Sequence, residues 1–125
     1  SLLTQRDSRY YGTDWPVTMV GSYGDLTRAD FFSDSMVLPF HEGTFDTVIS
    51  TQVLEHVRQP EIVIPEMARV LKPDGILILS APMTWPLHEE PYDYYRYTHH
   101  GLRHLLKEAN FEILDDLLFV ELYVM

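Results

Sequence analysis

Cysteine is absent from the 125 residues, which excludes disulfides, thiolate nucleophiles and cysteine-ligated metals. That is compatible with a cytoplasmic home, the location expected here. Basic charge is scarce: nine Lys and Arg stand against nineteen Asp and Glu, for a formal net charge of −10. Such a surface repels phosphate backbones and anionic lipid, so neither nucleic acid nor a membrane is expected as a partner. No apolar run approaches the ~20 residues of a membrane-spanning helix. Glycine numbers only six, and no Gly-x-Gly-x-x-Gly or Gly-x-Gly-x-Gly occurs; Gly21 and Gly24 are too widely spaced. This argues against a dinucleotide-binding loop, whose backbone must approach the ligand closely. The opening Ser1-Leu2-Leu3-Thr4-Gln5-Arg6-Asp7 lacks a signal-peptide pattern, and a start without Met implies a cut or processed end.

What is present suffices for one core. With 46% hydrophobic and 13% aromatic residues, the chain is expected to form a single domain, complete or partial, over residues 1–125. Its centre is Leu38 to Ser80. Phe45 to Ser50 is short, β-branched and apolar, introduced by the turn-prone Glu42-Gly43-Thr44. Ile76 to Leu79 is a continuous apolar run after Pro73-Asp74-Gly75, as expected of a strand covered on both faces. Between them Val63, Met67, Val70 and Leu71 keep helical spacing. Strand, helix and strand of these lengths predict a right-handed βαβ crossover in a parallel sheet, hence an α/β fold. Pro60 suits a first helical turn, whereas Pro65 predicts a kink or a helix starting after Ile64. Glu66 and Arg69 share a face and read as a solvated pair.

Four segments carry a resemblance. Asp34-Ser35-Met36-Val37-Leu38-Pro39-Phe40, Gly43-Thr44-Phe45-Asp46-Thr47-Val48, Val53-Leu54-Glu55-His56-Val57 and Arg69-Val70-Leu71-Lys72-Pro73-Asp74-Gly75 follow one another at family spacing. Together they resemble the class I S-adenosylmethionine (SAM)-dependent methyltransferases, closest to the "type 11" subgroup acting mostly on small molecules. The resemblance implies a Rossmann-like sheet, SAM as cofactor and a small-molecule substrate. It also implies roles. Asp14, closing a strand over Arg9 to Asp14, would bind the ribose hydroxyls, since a carboxylate accepts from two neighbouring OH groups. Asp34 would accept from the adenine amino group, with Ser35 and Met36 lining the pocket. Thr51, Gln52 and Glu55, beyond the fourth strand of the family's sheet, would lie near the methionine part and the incoming substrate, with Thr51 and Gln52 bordering the methyl. A turn or N-cap aspartate is the plainer alternative for Asp14 and Asp34. His56 is a weak candidate general base; shaping the local turn is the role favoured for it.

After the second strand, Pro82 to Tyr97 holds three prolines and five aromatics. It reads as a substrate lid, with Trp85, His88, Tyr94, Tyr95 and Arg96 as candidate substrate contacts. The alternatives are a loop packed on its own domain and an Arg96 paired internally with Asp93 or Glu90. Thr98 reads as the N-cap of a helix bearing Leu102, Leu105, Leu106 and Ala109, with Asn110 as its left-handed C′ residue. His99, His100 and His104 resemble metal ligands only until His100 and His104 fall on the polar face, so no metal is expected. Ala29 to Ser33 is expected as a strand, Val17 to Asp30 as loop, and Phe111 to Tyr123 as one long or bent strand.

The family's first strand and glycine-rich loop are missing from these residues. The expectation is therefore a fragment, a natural truncation, or a homo-oligomer in which another copy covers the gap. Two functions stand side by side: SAM-dependent methyl transfer, or a shortened non-catalytic domain serving assembly or regulation.

Overall fold

A computed structural model describes residues 9–14 and 30–114. Two compact units, divided between Ser35 and Met36, make up the chain. In the first, β1 (Thr13–Asp14) pairs in parallel with β2 (Phe31–Phe32), Thr13 opposite Phe31 and Asp14 opposite Phe32. Asp30 locks the entry to this pair. Its carboxylate accepts from the Gly12 N–H at 2.7 Å, while its own N–H donates to the Gly12 carbonyl at 2.7 Å. The expected strands ending at Asp14 and passing through Phe31 are thus present, though short. The rest of the Val17 to Asp30 loop lies outside the described residues.

The second unit carries the βαβ crossover. β3 (Phe45–Thr51), α1 (Pro60–Val70) and β4 (Leu71–Ser80) follow in order, and β3 pairs in parallel with β4. Gly43 sits at φ 61°, the left-handed conformation that makes the expected turn possible without a Cβ penalty. The N–H groups of Gly43 and Thr44 donate to the carbonyls of Arg69 and Val70, joining the start of β3 to the end of α1. Pro60 opens the helix as expected, but Pro65 neither ends nor delays it: α1 is continuous through Val70. Tertiary packing outweighs the lost hydrogen bond. Pro60, Val63, Ile64, Met67 and Val70 are all buried.

Two expectations about β4 need correction. The strand begins at Leu71, directly at the end of the helix, and Pro73-Asp74-Gly75 lies inside it. Phe45 faces Leu71 while Thr47 already faces Ile76, so the turn residues bulge out of the ladder, with Asp74 at φ 63°. Ile76 and Ile78 are 50% and 51% exposed, so β4 is covered on one face and not on both. Alternation along the pleat turns Leu77 and Leu79 toward the core and the isoleucines away.

That core is Leu54, Val57, Val63, Ile64, Met67, Ala81 and Tyr97, ringed by Met36, Val48, Leu102, Leu105, Leu106 and Phe111 among others. α2 (His99–Glu108) closes it. Thr98 Oγ1 accepts from the Gly101 N–H at 3.0 Å, the expected N-cap. At the far end Asn110 takes φ 63°, its N–H donating to the Lys107 carbonyl and that of Phe111 to the Leu106 carbonyl. This is a Schellman closure with asparagine where glycine carries no Cβ penalty. Asn110→Gly should therefore raise stability by about 0.5–1 kcal/mol, read as a higher urea midpoint at unchanged slope. Residues 111–114 are not a strand, and the remainder of the predicted final strand is outside the described residues. No helix among the described residues is long and apolar enough to cross a membrane.

Candidate functional site

Ligands of open parallel sheets gather beyond the carboxyl ends of the strands, where the backbone carbonyls stop pairing. Here β3 ends at Thr51, which is exposed, and Gln52 follows at φ 55°. The Gln52 N–H donates to the Ser80 carbonyl at 3.0 Å and its side-chain amide reaches Ser80 Oγ at 3.3 Å. The left-handed residue thus ties the ends of β3 and β4 together and turns the chain into a 3₁₀ turn, Leu54–His56. Of the residues expected to hold a cofactor, Met36, Thr51 and Gln52 belong to this unit, while Asp14, Asp34 and Ser35 belong to the other.

The segment that follows β4 folds back over the 3₁₀ turn. The N–H groups of Tyr94 and Tyr95 both donate to the Glu55 carbonyl, at 2.7 and 3.3 Å. Tyr97 is buried; its hydroxyl donates to the Leu54 carbonyl at 3.0 Å, and burial pushes that hydroxyl well above the ordinary tyrosine range. The Arg58 Nε–H donates to the Tyr94 hydroxyl at 3.0 Å with the guanidinium 5.5 Å from the ring centroid, and the Tyr95 hydroxyl donates to the Arg58 carbonyl. The expected aromatic loop is therefore present and largely packed on its own domain. Trp85 and Tyr95 remain exposed on it.

Arg96 is the loop's internal staple. Its guanidinium donates to both Asp93 carboxylate oxygens at 2.6 and 2.9 Å and to the carbonyls of Trp85, Pro86 and Tyr95. These five bonds engage all five N–H donors of an arginine. Of the two roles weighed for Arg96, the internal pair, favoured over a substrate clamp, is the one present, with Asp93 and not with Glu90. The bidentate Arg96 contact holds the nearly buried Asp93 well below the usual carboxylate range.

Three further groups converge on the underside. Glu55 is fully buried, and neither carboxylate oxygen has a hydrogen-bond partner among the described residues. Burial raises its pKa, an effect opposed by its own backbone amide and by the nearby His56, His88 and Arg96. Glu55 Oε1 lies 3.7 Å from His56 Nε2 and 3.8 Å from His88 Nε2. The two imidazoles meet edge to face, centroids 4.8 Å apart. His56 Nδ1 contacts the Tyr92 carbonyl at 2.5 Å, which fits the turn-shaping role favoured for it. His88, expected as a substrate contact, faces this cluster. Sequence reasoning set Glu55 near the methionine part of the cofactor and the incoming substrate but missed its meeting with His88, although two His–Glu pairs, Glu55-His56 and His88-Glu89, were there to be seen.

The Leu-Pro-Phe stretch has its own anchor. Arg69 donates to Glu66 at 2.8 and 2.6 Å and to the carbonyls of Phe40 and Leu38 at 2.8 and 3.1 Å. Glu66 in turn accepts from the Leu38 N–H at 2.8 Å. The pair expected to be merely solvated instead fastens residues 38–40 to α1. Hydrogen bonding from Arg69 lowers the Glu66 pKa. A depressed folded-state pKa gives stability that is present above the ordinary carboxylate range and lost as the pH falls through and below it. Glu66→Gln should cost about 1–2 kcal/mol near neutrality and flatten the acid limb of a stability-versus-pH curve. Chemical denaturation at a series of pH values measures both.

Comparison with known proteins now decides the family. A family model described as a methyltransferase domain matches residues 1–79, which contain β1 to β3, the 3₁₀ turn and α1. The chain belongs to the class I SAM-dependent methyltransferases. Among its relatives is an uncharacterized methyltransferase of Mycobacterium leprae, 44% identical over 62 residues, covering 50% of this chain and 22% of that protein. Norajmaline N-methyltransferase of Rauvolfia serpentina is 46% identical over 48 residues, 38% of this chain and 16% of the enzyme. Among solved structures, the [4+2]-cyclase SpnF superposes with a TM-score of 0.58 at 34% identity, covering 70% of this chain and 34% of SpnF. The chain thus spans about a fifth of the length of these curated relatives. Within this methyltransferase frame, Thr51, Gln52, Glu55 and His56 lie inside the matched span, and the loop bearing Trp85, His88, Tyr94, Tyr95 and Arg96 lies beyond it.

Proposed function

We propose that this chain serves SAM-dependent methyl transfer to a small-molecule acceptor, as an enzyme or as the acceptor-side part of one. The observation that carries the reading is the exposed ledge at the carboxyl ends of β3 and β4, Thr51 and Gln52, next in the chain to the 3₁₀ turn on which the aromatic loop is folded. The donor set fits the cofactor's chemistry: Thr51 and Gln52 offer hydroxyl and amide groups for the methionine portion, Met36 an apolar wall. In the first unit Asp14 and Asp34 offer carboxylates suited to ribose hydroxyls and an adenine amine, and Ser35 a hydroxyl. When bound, SAM supplies an electrophilic methyl group. The chain's own contribution is to orient the acceptor and keep water out, with Trp85 and Tyr95 as the exposed aromatic surfaces for a planar or apolar acceptor. Acidic net charge and a relative named for norajmaline both favour such an acceptor over a polyanion.

A second reading has its own support. A relative of known structure is named a [4+2]-cyclase, and a shared fold does not carry a shared reaction. Under it the chain is a methyltransferase-like domain acting without methyl transfer, in assembly or regulation. Calorimetric titration with SAM and with its demethylated product separates the two, alongside light scattering for mass. Micromolar binding that is lost in Asp34→Ala supports the first reading. No heat at millimolar ligand from a folded chain would sink it.

A further inference from the structure

We propose that Glu55, His56 and His88 form a binding site for one divalent transition-metal ion, zinc being the best match, which clamps the aromatic loop to the 3₁₀ turn. Among the described residues these three present ligand atoms all within 4.8 Å of one another. The proposal stands apart from the methyl-transfer reading and does not need it.

Two observations carry it independently. The first is the orphaned carboxylate. Glu55 is 0% exposed, and both its oxygens lack a hydrogen-bond partner among the described residues. Taking a carboxylate out of water without partners is costly, and buried charges are ordinarily paired or metal-bound. The two Nε2 atoms it faces stand 3.7 and 3.8 Å away, too far for hydrogen bonds. The spacing is close to that of ligands sharing an ion. Donors about 2.0–2.2 Å from a tetrahedral centre lie roughly 3.3–3.6 Å from each other. The two separations from Glu55 are within a few tenths of an ångström of that range, and a rotation of the imidazoles toward each other would complete the geometry.

The second observation is the orientation of the imidazoles. A metal-binding histidine directs its other ring nitrogen to a carbonyl or carboxylate, which fixes the tautomer and leaves the ligating lone pair free. His56 Nδ1 contacts the Tyr92 carbonyl at 2.5 Å. His88 Nδ1 lies 3.1 Å from the Pro86 carbonyl and 3.5 Å from Asp93 Oδ2. These contacts place an Nδ1–H donor against a carbonyl in each ring and turn both Nε2 atoms toward Glu55. Glu89 Oε2 borders the cluster, 3.4 Å from His56 Nε2. Two imidazoles and one or two carboxylates suit zinc or a neighbouring first-row ion over calcium or magnesium, which prefer oxygen alone. The groups come from the 3₁₀ turn and from the loop, so an ion would join the two where the Tyr94 and Tyr95 amides already reach the Glu55 carbonyl.

The test is calorimetric titration of the chelator-treated chain with zinc chloride near neutral pH. It is paired with cobalt(II) substitution, whose visible absorption reports tetrahedral nitrogen and oxygen ligation. One ion per chain is expected, with the thermal midpoint rising on zinc addition. Affinity should fall at least about 100-fold in Glu55→Gln and in His88→Ala, since even outer partners of metal ligands are worth 10–100-fold. His88 sits on the loop outside the apolar core, so its variant decides the matter even if Glu55→Gln fails to fold. A triple substitution of His99, His100 and His104 by alanine should leave binding intact. Absence of binding, equal affinity in His88→Ala, or loss in the triple variant would each overturn the site.

Discussion

Arg96→Ala should remove about 3–5 kcal/mol of stability, because it strands a carboxylate that water cannot reach. The Asp93 side chain is 1% exposed, and two of its contacts are to the Arg96 guanidinium. Its other hydrogen bond, from the His88 backbone N–H, cannot balance the charge alone. The Trp85, Pro86 and Tyr95 carbonyls lose a donor at the same stroke. Lysine should recover only part, since a point charge cannot reproduce the planar fork. Asp93→Asn combined with Arg96→Ala should be less harmful than the sum of the two single changes, as expected of a directly coupled pair. The pH response follows from the lowered Asp93 pKa. The pair stabilises the fold above the ordinary aspartate range, and the contribution drains away as the medium becomes strongly acidic. Urea unfolding of wild type, singles and double gives all of these. A loss below about 1 kcal/mol in Arg96→Ala would show that the pair does not hold the loop.

Gly75→Ala is the second large effect, about 1–3 kcal/mol of destabilisation from overpacking. A Cβ at this position would stand 2.8 Å from the Lys72 carbonyl oxygen, 2.9 Å from Leu71 Cδ2 and 3.2 Å from the Asp46 carbonyl oxygen. Two of the three are backbone atoms, one in the bulge of β4 and one on β3 opposite it, so relief requires the ladder itself to shift. The requirement here is for space. Gly43 is the contrast: it needs a left-handed backbone and has open room around it, so alanine there meets strain without collision. Thermal unfolding of the two alanine variants should rank Gly75 as the more sensitive site. The Lys72–Asp46 pair bordering the bulge is largely exposed, and removing it should change little.

Legibility in the sequence followed the range of the interactions. The Thr98 cap, the Asn110 closure, the Gly43 turn and the βαβ order were readable because each depends on residues a few positions apart or on periodicity. Pro65 was misleading for the same reason: local chemistry argues for a break, and the burial of Val63, Ile64 and Met67 overrides it. What stayed hidden was pairing at a distance. Glu66 and Arg69 are adjacent on a helix, yet nothing in their spacing tells that they reach Leu38 and Phe40. The meeting of Glu55 and His56 with His88 depends on how the post-β4 loop returns over the 3₁₀ turn, a path no local pattern encodes. An unbroken apolar run at Ile76 to Leu79 says that both faces are greasy, but not that only one of them is covered.

The tethering of that loop bears on how the protein would meet a protease. Residues 85–97 contain neither helix nor strand, and they offer trypsin an arginine and chymotrypsin several aromatics. Cleavage requires roughly extended, detachable backbone, whereas the amides of Tyr94, Tyr95 and Tyr97 are held by the carbonyls of Glu55 and Pro82. Digestion should therefore spare Tyr94 to Arg96 until the whole unit opens. Deuterium uptake at these three amides should be as slow as in β3, marking an irregular segment that unfolds together with the sheet.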